Sequence, residues 1–98
     1  MAVRYVRTSL ALPGKFFEAL AVVKEAAAIV EKVTGSKVTT MTRIGGPVGE
    51  ITNVVIYSNL AELEETSTKL LANAEYQAMS RKLAGLISEA NDRLLREV

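Results

Sequence analysis

Polar and apolar positions change their period along this chain. Residues 2–11 are rich in Val, Tyr, Thr and Leu, with polar residues interrupting at short spacing, which predicts a strand. Leu12-Pro13-Gly14 punctuates it, and Pro13 suits the first turn of a helix, where a missing N–H costs nothing. Over residues 14–34 the period lengthens to that of a helix. Phe16, Leu20, Val23, Ala27 and Val30 form one stripe, and Phe17, Val22, Ala26, Ile29 and Val33 widen it. Gly35 is placed to end that helix in a left-handed conformation. Residues 36–44 are β-branched and extended, Gly45-Gly46-Pro47-Val48-Gly49 breaks them, and residues 50–57 form the clearest strand. The two runs and their glycine-rich link predict a hairpin.

Asn59-Leu60-Ala61-Glu62 has the form of a capping box, so a second helix is expected to start there with Leu60, Leu63, Leu70 and Leu71 inward. Asn73 ends one helical piece and caps the next, in which Tyr76, Met79, Leu83 and Ile87 share a face. The stretch Asn91 to Val98 fits either a strand or an extension of that helix. A terminal strand is favoured because it completes a four-stranded sheet. The order is then β-α-β-β-α-(α)-β, one ferredoxin-like βαββαβ domain of α+β class over residues 1–98, with a four-stranded antiparallel sheet.

The predicted strands do not alternate cleanly. The first puts Val3, Tyr5, Arg7 and Ser9 on one side and Arg4, Val6, Thr8 and Leu10 on the other. The third sets Ile51, Asn53, Val55 and Tyr57 against Thr52, Val54 and Ile56. Both faces are semi-apolar, so both are expected to be covered. Helices cover one face. A second copy of the chain covering the other would make a two-fold dimeric α/β barrel.

Three runs of residues resemble a known family in order and spacing. Tyr5-Val6-Arg7-Thr8 with Leu10-Ala11-Leu12-Pro13-Gly14-Lys15 resembles the first strand and turn of NIPSNAP-type domains. Asn53-Val54-Val55-Ile56-Tyr57-Ser58-Asn59-Leu60-Ala61-Glu62 resembles their third strand and helix start. Leu70-Leu71-Ala72-Asn73-Ala74-Glu75-Tyr76-Gln77 resembles the loop between their late helical pieces. The resemblance implies a dimeric α/β barrel and little about activity. Members often carry a His two residues before a Trp in the third strand, and here Asn53 and Val55 stand at those positions.

Composition narrows the chemistry. Hydrophobic residues make up 49% of the chain, with two Phe, three Tyr and no Trp, so the core is aliphatic. A chain this short buries only about 60 to 65% of its unfolded surface, and an added subunit interface would stabilise it. Twelve basic and eleven acidic residues are interspersed, for a net charge of +1. That leaves no basic stripe for a nucleic acid. With no Cys and no His, the chain lacks thiolate nucleophiles, the commonest general base and the commonest metal ligands. No metal or cofactor is expected. No stretch approaches the roughly eighteen apolar residues of a membrane span, and the N-terminal residues do not form a signal peptide, so a cytoplasmic protein is expected.

Four residues stand out as ligand contacts. Arg7 lies mid-strand beside Tyr5 and Ser9 and could bind an anion or an enolate-like oxygen in the barrel. The competing reading is an exposed or ion-paired arginine. Asn53 and Tyr57 share one face of the third strand and could hydrogen-bond a ligand, or satisfy backbone or partner groups instead. Met41 shares a face with Arg43 and reads as adaptable packing beside the ligand. The glycine run lacks a Gly-Lys-Ser/Thr ending and precedes a strand, so it is a turn and no phosphate loop. Capping explains Glu62, Glu64 and Glu65.

Three functions stay open. The first is a homodimer that binds a small apolar or aromatic molecule between paired sheets. The second is a cofactor-independent monooxygenase or isomerase, with Tyr, Arg or a raised-pKa carboxylate in place of His and no catalytic residue assignable. The third is a structural dimer without a ligand.

Overall fold

The computed structural model describes residues 2–46 and 48–98. Its elements run β1 (Val3–Ala11), α1 (Phe16–Thr34), β2 (Val38–Thr42), β3 (Glu50–Tyr57), α2 (Leu60–Leu71), α3 (Ala74–Ala84) and β4 (Ile87–Arg96). The four strands form one antiparallel sheet in the order β2-β3-β1-β4. This is the ferredoxin-like arrangement the pattern predicts, with the second helix in two pieces.

Three boundaries and one burial pattern differ from the sequence reading. Pro13 lies ahead of α1, in a turn closed by the Lys15 N–H donating to the Leu12 carbonyl at 2.9 Å. Gly14 takes the third position with φ +76°, which fits a type II turn, so the helix begins at Phe16. β2 is shorter than residues 36–44, because its pairing to β3 spans only Val38 to Thr42. Of the link after it, Pro47 lies outside the described residues. Leu60 and Leu71 are not buried: they are 53% and 71% exposed, whereas Leu70 is buried.

The fourth difference matters most for function. β4 begins at Ile87, not Asn91. Gly85 ends α3, the Leu86 N–H closes on the Leu83 carbonyl at 2.8 Å, and Ile87 then pairs with Ala11 across a bulge. Ile87 therefore belongs to the strand and not to the helical face of Tyr76 and Met79. The two predicted caps are present: Asn59 accepts from the Glu62 N–H and Asn73 from the Tyr76 N–H, each at 2.9 Å. Glu62 reaches back to the Ser58 N–H at 3.0 Å. Gly35 ends α1 with φ +74°, its N–H on the Glu31 carbonyl.

The core is aliphatic and lies between the sheet and its helices. Ala11 and Ile51 from the sheet meet Ala19 and Val23 of α1, with Phe16, Leu20, Leu83, Leu86 and Ile87 packed around them. The opposite face of the sheet carries no helix. There Ile56, Met41 and Leu95 are 56%, 45% and 43% exposed. Among the described residues no helix is long and apolar enough to cross a membrane.

Candidate functional site

Strand register builds one polar row across the whole sheet. Thr40 on β2 stands opposite Asn53 on β3, Asn53 stands opposite Arg7 on β1, and Arg7 stands opposite Asp92 on β4. Directly opposed residues project to the same face of a sheet. The row therefore lies on one face, and Arg7 and Asn53 place it under the helices, where both line a cavity of about 290 Å³.

The two ends of the row are closed by hydrogen bonds. Thr40 Oγ1 donates to Asn53 Oδ1 at 2.9 Å. Arg7 Nε donates to Asp92 Oδ1 at 2.7 Å and Arg7 Nη2 to Asp92 Oδ2 at 3.0 Å, a two-pronged pair. Tyr5, two residues along β1, ties into it: its hydroxyl donates to Asp92 Oδ2 at 2.6 Å and accepts from Arg7 Nη2 at 2.8 Å. No hydrogen bond joins Asn53 to Arg7 among the described residues.

The ion pair sets the proton chemistry. The hydrogen bonds from Arg7 hold the Asp92 carboxyl below its usual range, and Tyr5 adds to this against partial burial. Asp92 in turn raises the Arg7 guanidinium further. Burial, reinforced by Asp92, pushes the Tyr5 phenol up to about 12, with Arg7 pulling the other way. At neutral pH the cluster is an arginine cation, an aspartate anion and a neutral phenol.

The helices roof this floor with small and aliphatic groups. Val23, Ala26, Ala27 and Val30 come from α1, Leu70 and Leu71 from α2, and Met79 and Leu83 from α3. Alanines at two adjoining roof positions leave space that larger side chains would fill. Ser67, Tyr76 and Ser80 add hydroxyls to the roof, and Ser9 and Tyr57 add them to the floor.

Of the four candidate contacts, Arg7, Asn53 and Tyr57 come together around this cavity. Met41 does not. It lies on the open face of the sheet, in a groove with Arg4, Lys37, Thr39, Val54 and Ile56. Alternation along β2 and β3 puts it there: Met41 opposes Thr52, whose neighbour Asn53 faces the helices. Arg7 is ion-paired, as its competing reading has it, and it also lines the cavity. Thr40 and the α3 residues were not anticipated as part of the site, and Asp92, expected in the terminal strand, was not expected to pair with Arg7. The β1–β4 register is the signal that brings Asp92 to Arg7, and placing residue 92 in a strand does not by itself supply it. Among the described residues no group of three or more Cys, His, Asp or Glu is placed to hold a metal ion.

Solved structures repeat this architecture over the full chain. A NIPSNAP family protein from Agrobacterium tumefaciens superposes with TM-score 0.87 at 22% identity, covering 100% of this chain and 94% of that one. An uncharacterized NIPSNAP domain protein from Burkholderia xenovorans superposes with TM-score 0.85 at 17% identity, covering 100% and 95%. The chain has the NIPSNAP fold. The likeness in sequence runs and the likeness in backbone thus agree. The fold is shared more widely: SnoaB from Streptomyces nogalater, a cofactor-independent oxygenase, superposes with TM-score 0.75 at 14% identity over 98% of this chain and 92% of that one. No protein-family model matches the sequence, and no curated protein does. The NIPSNAP proteins among these neighbours include one described as of unknown function, so the fold brings no activity with it.

Proposed function

We propose that this NIPSNAP-fold chain is a homodimeric binding module that takes up a small, largely apolar or aromatic molecule. The observation that carries the reading is the cavity of about 290 Å³, roofed by aliphatic side chains over a floor with a few oriented polar groups. Apolar walls with a small number of placed polar groups are the usual make-up of a small-molecule site. The site is in the chain's own interior, under its helices. That revises the expectation of a ligand between paired sheets, because Arg7, Asn53 and Tyr57 all face α1–α3. The open face, with Ile56, Met41 and Leu95 half exposed, is the surface a second copy would cover.

Binding is favoured over catalysis by proton abstraction. A general base near neutrality needs a pKa near the working pH. Tyr5 titrates far above it and Asp92 below it, in the grip of Arg7.

Ethylnaphthalene is a suitable first probe, followed by methyl-resolved NMR of the whole chain. Saturable shifts are expected at Val23, Val30, Val55 and Leu70, and an Ala27→Phe variant is expected to abolish them. Shifts confined to Met41 and Ile56 would instead place the ligand between sheets and overturn the assignment.

A further inference from the structure

The floor of the cavity has its donors and acceptors unevenly committed. Asn53 Oδ1 accepts from Thr40, while its amide nitrogen, with two hydrogens, has no partner among the described residues. Arg7 has committed Nε and Nη2 to Asp92 and Tyr5, and among the described residues Nη1 has no partner. The Tyr5 hydroxyl has given its only proton to Asp92. Asn53 and Arg7 oppose each other on neighbouring strands, so two free donors face the same space. Donors cannot satisfy each other, and leaving them dry in an occupied cavity is costly. Ser9, only 4% exposed, adds a hydroxyl on the same floor.

Charge limits what can answer those donors. Arg7 is the one Asp, Glu, Lys or Arg side chain among the residues lining this cavity, and Asp92 already neutralises it. An anionic ligand would have to leave water and then share the guanidinium with a carboxylate, with no second cation to compensate it. A cationic ligand would find no free carboxylate among the lining residues.

We propose that the bound molecule is uncharged and presents a carbonyl oxygen that accepts from both Asn53 Nδ2 and Arg7 Nη1. A carbonyl has two lone pairs, which match two donors on adjacent strands. The apolar remainder of the molecule lies against Val23, Val30 and Leu70. This assignment rests on the binding reading above and adds the chemical class of the ligand to it. It also gives Asp92 a role away from the ligand, as the group that makes Arg7 a neutral-site donor and not an anion trap.

The test compares acetonaphthone, naphthoate and ethylnaphthalene, which share a ring system and differ in the group offered to the floor. Affinities come from NMR titration of the intact chain. Acetonaphthone is expected to bind about tenfold more tightly than either of the others, the ratio typical of one well-made hydrogen bond. Asn53→Leu should erase the preference for ketone over hydrocarbon. Asp92→Asn changes a half-exposed side chain and should reverse the order of ketone and carboxylate by freeing the charge on Arg7. Naphthoate or ethylnaphthalene matching the ketone on the unmodified chain overturns the carbonyl assignment and leaves the cavity reading standing. No probe shifting the cavity resonances overturns the cavity reading, and this assignment with it.

Discussion

Asp92 holds Arg7 by two hydrogen bonds across β1 and β4, at 2.7 and 3.0 Å, although 85 residues separate them in the chain. Their side chains are 39% and 44% exposed, so solvent screens the pair. A double-mutant cycle with Arg7→Ala and Asp92→Ala should give a coupling of about 0.5–1 kcal/mol in denaturant unfolding, the upper part of the range for exposed pairs because the geometry is two-pronged. A coupling indistinguishable from zero would show that Tyr5 alone orders the cluster.

The same pair makes stability depend on acid. The folded Asp92 pKa lies below its unperturbed 3.8, so its contribution is fully present above that value. It is lost as pH falls from there through the folded value. Stability against pH should therefore fall less steeply below pH 3.8 in Asp92→Asn than in the unmodified chain. Identical curves would contradict the pairing.

Tyr5 predicts the opposite limb. Its phenol rises from 10.0 to about 12, so the neutral form is favoured by folding. That stabilisation is complete below pH 10 and disappears as pH rises towards 12. Ultraviolet titration of tyrosinate should contain one component with a midpoint near 12, and Tyr5→Phe should remove it.

α3 has no buried residue, so local terms weigh heavily in its stability. Asn73→Ala removes the acceptor for the Tyr76 N–H and should cost about 1 kcal/mol, readable as a lowered midpoint in thermal unfolding. Asn73→Ser keeps an acceptor and should recover most of the loss.

Ile56 tests the open face. Its side chain is 56% exposed, so Ile56→Glu should leave the chain folded. In analytical ultracentrifugation the unmodified chain should sediment at twice 10.6 kDa and the variant at 10.6 kDa. Equal masses for both would remove this face as the dimer surface.

Much of this molecule was legible from residue order alone. Two asparagine caps, the glycine that ends α1 and the helix–strand alternation depend on neighbours a few positions apart, which a sequence displays directly. Arg7, Asn53 and Tyr57 were recognisable because period-two spacing puts polar groups on an otherwise apolar strand face. Met41 shows where that logic stops. Alternation states which residues share a face of one strand and not which face meets the helices, and β2 offers no clear apolar side to decide it. Asp92 was expected in the terminal strand, but its pairing with Arg7 was not read, for a related reason. Leu94, Arg96 and Val98 alternate as a strand, while Leu83, Ile87, Ala90, Leu94 and Val98 also fit a helical face, so the start of β4 at Ile87 and its register against β1 were not readable. The four-residue row itself could not be read locally, because each of its members belongs to a different strand.

That row also constrains how the molecule can fold. A one-residue slip of any strand would turn one of its members to the far face of the sheet. Until β4 docks, Arg7 lies under the helices with its charge unanswered, and the contact that answers it closes a loop spanning most of the chain. Such long-range closure is slow to form. It follows that β4 docking and cavity formation should be one kinetic event: an intermediate with three strands in place would have the roof and no working floor, and binding competence should appear only with the last, slowest phase of folding.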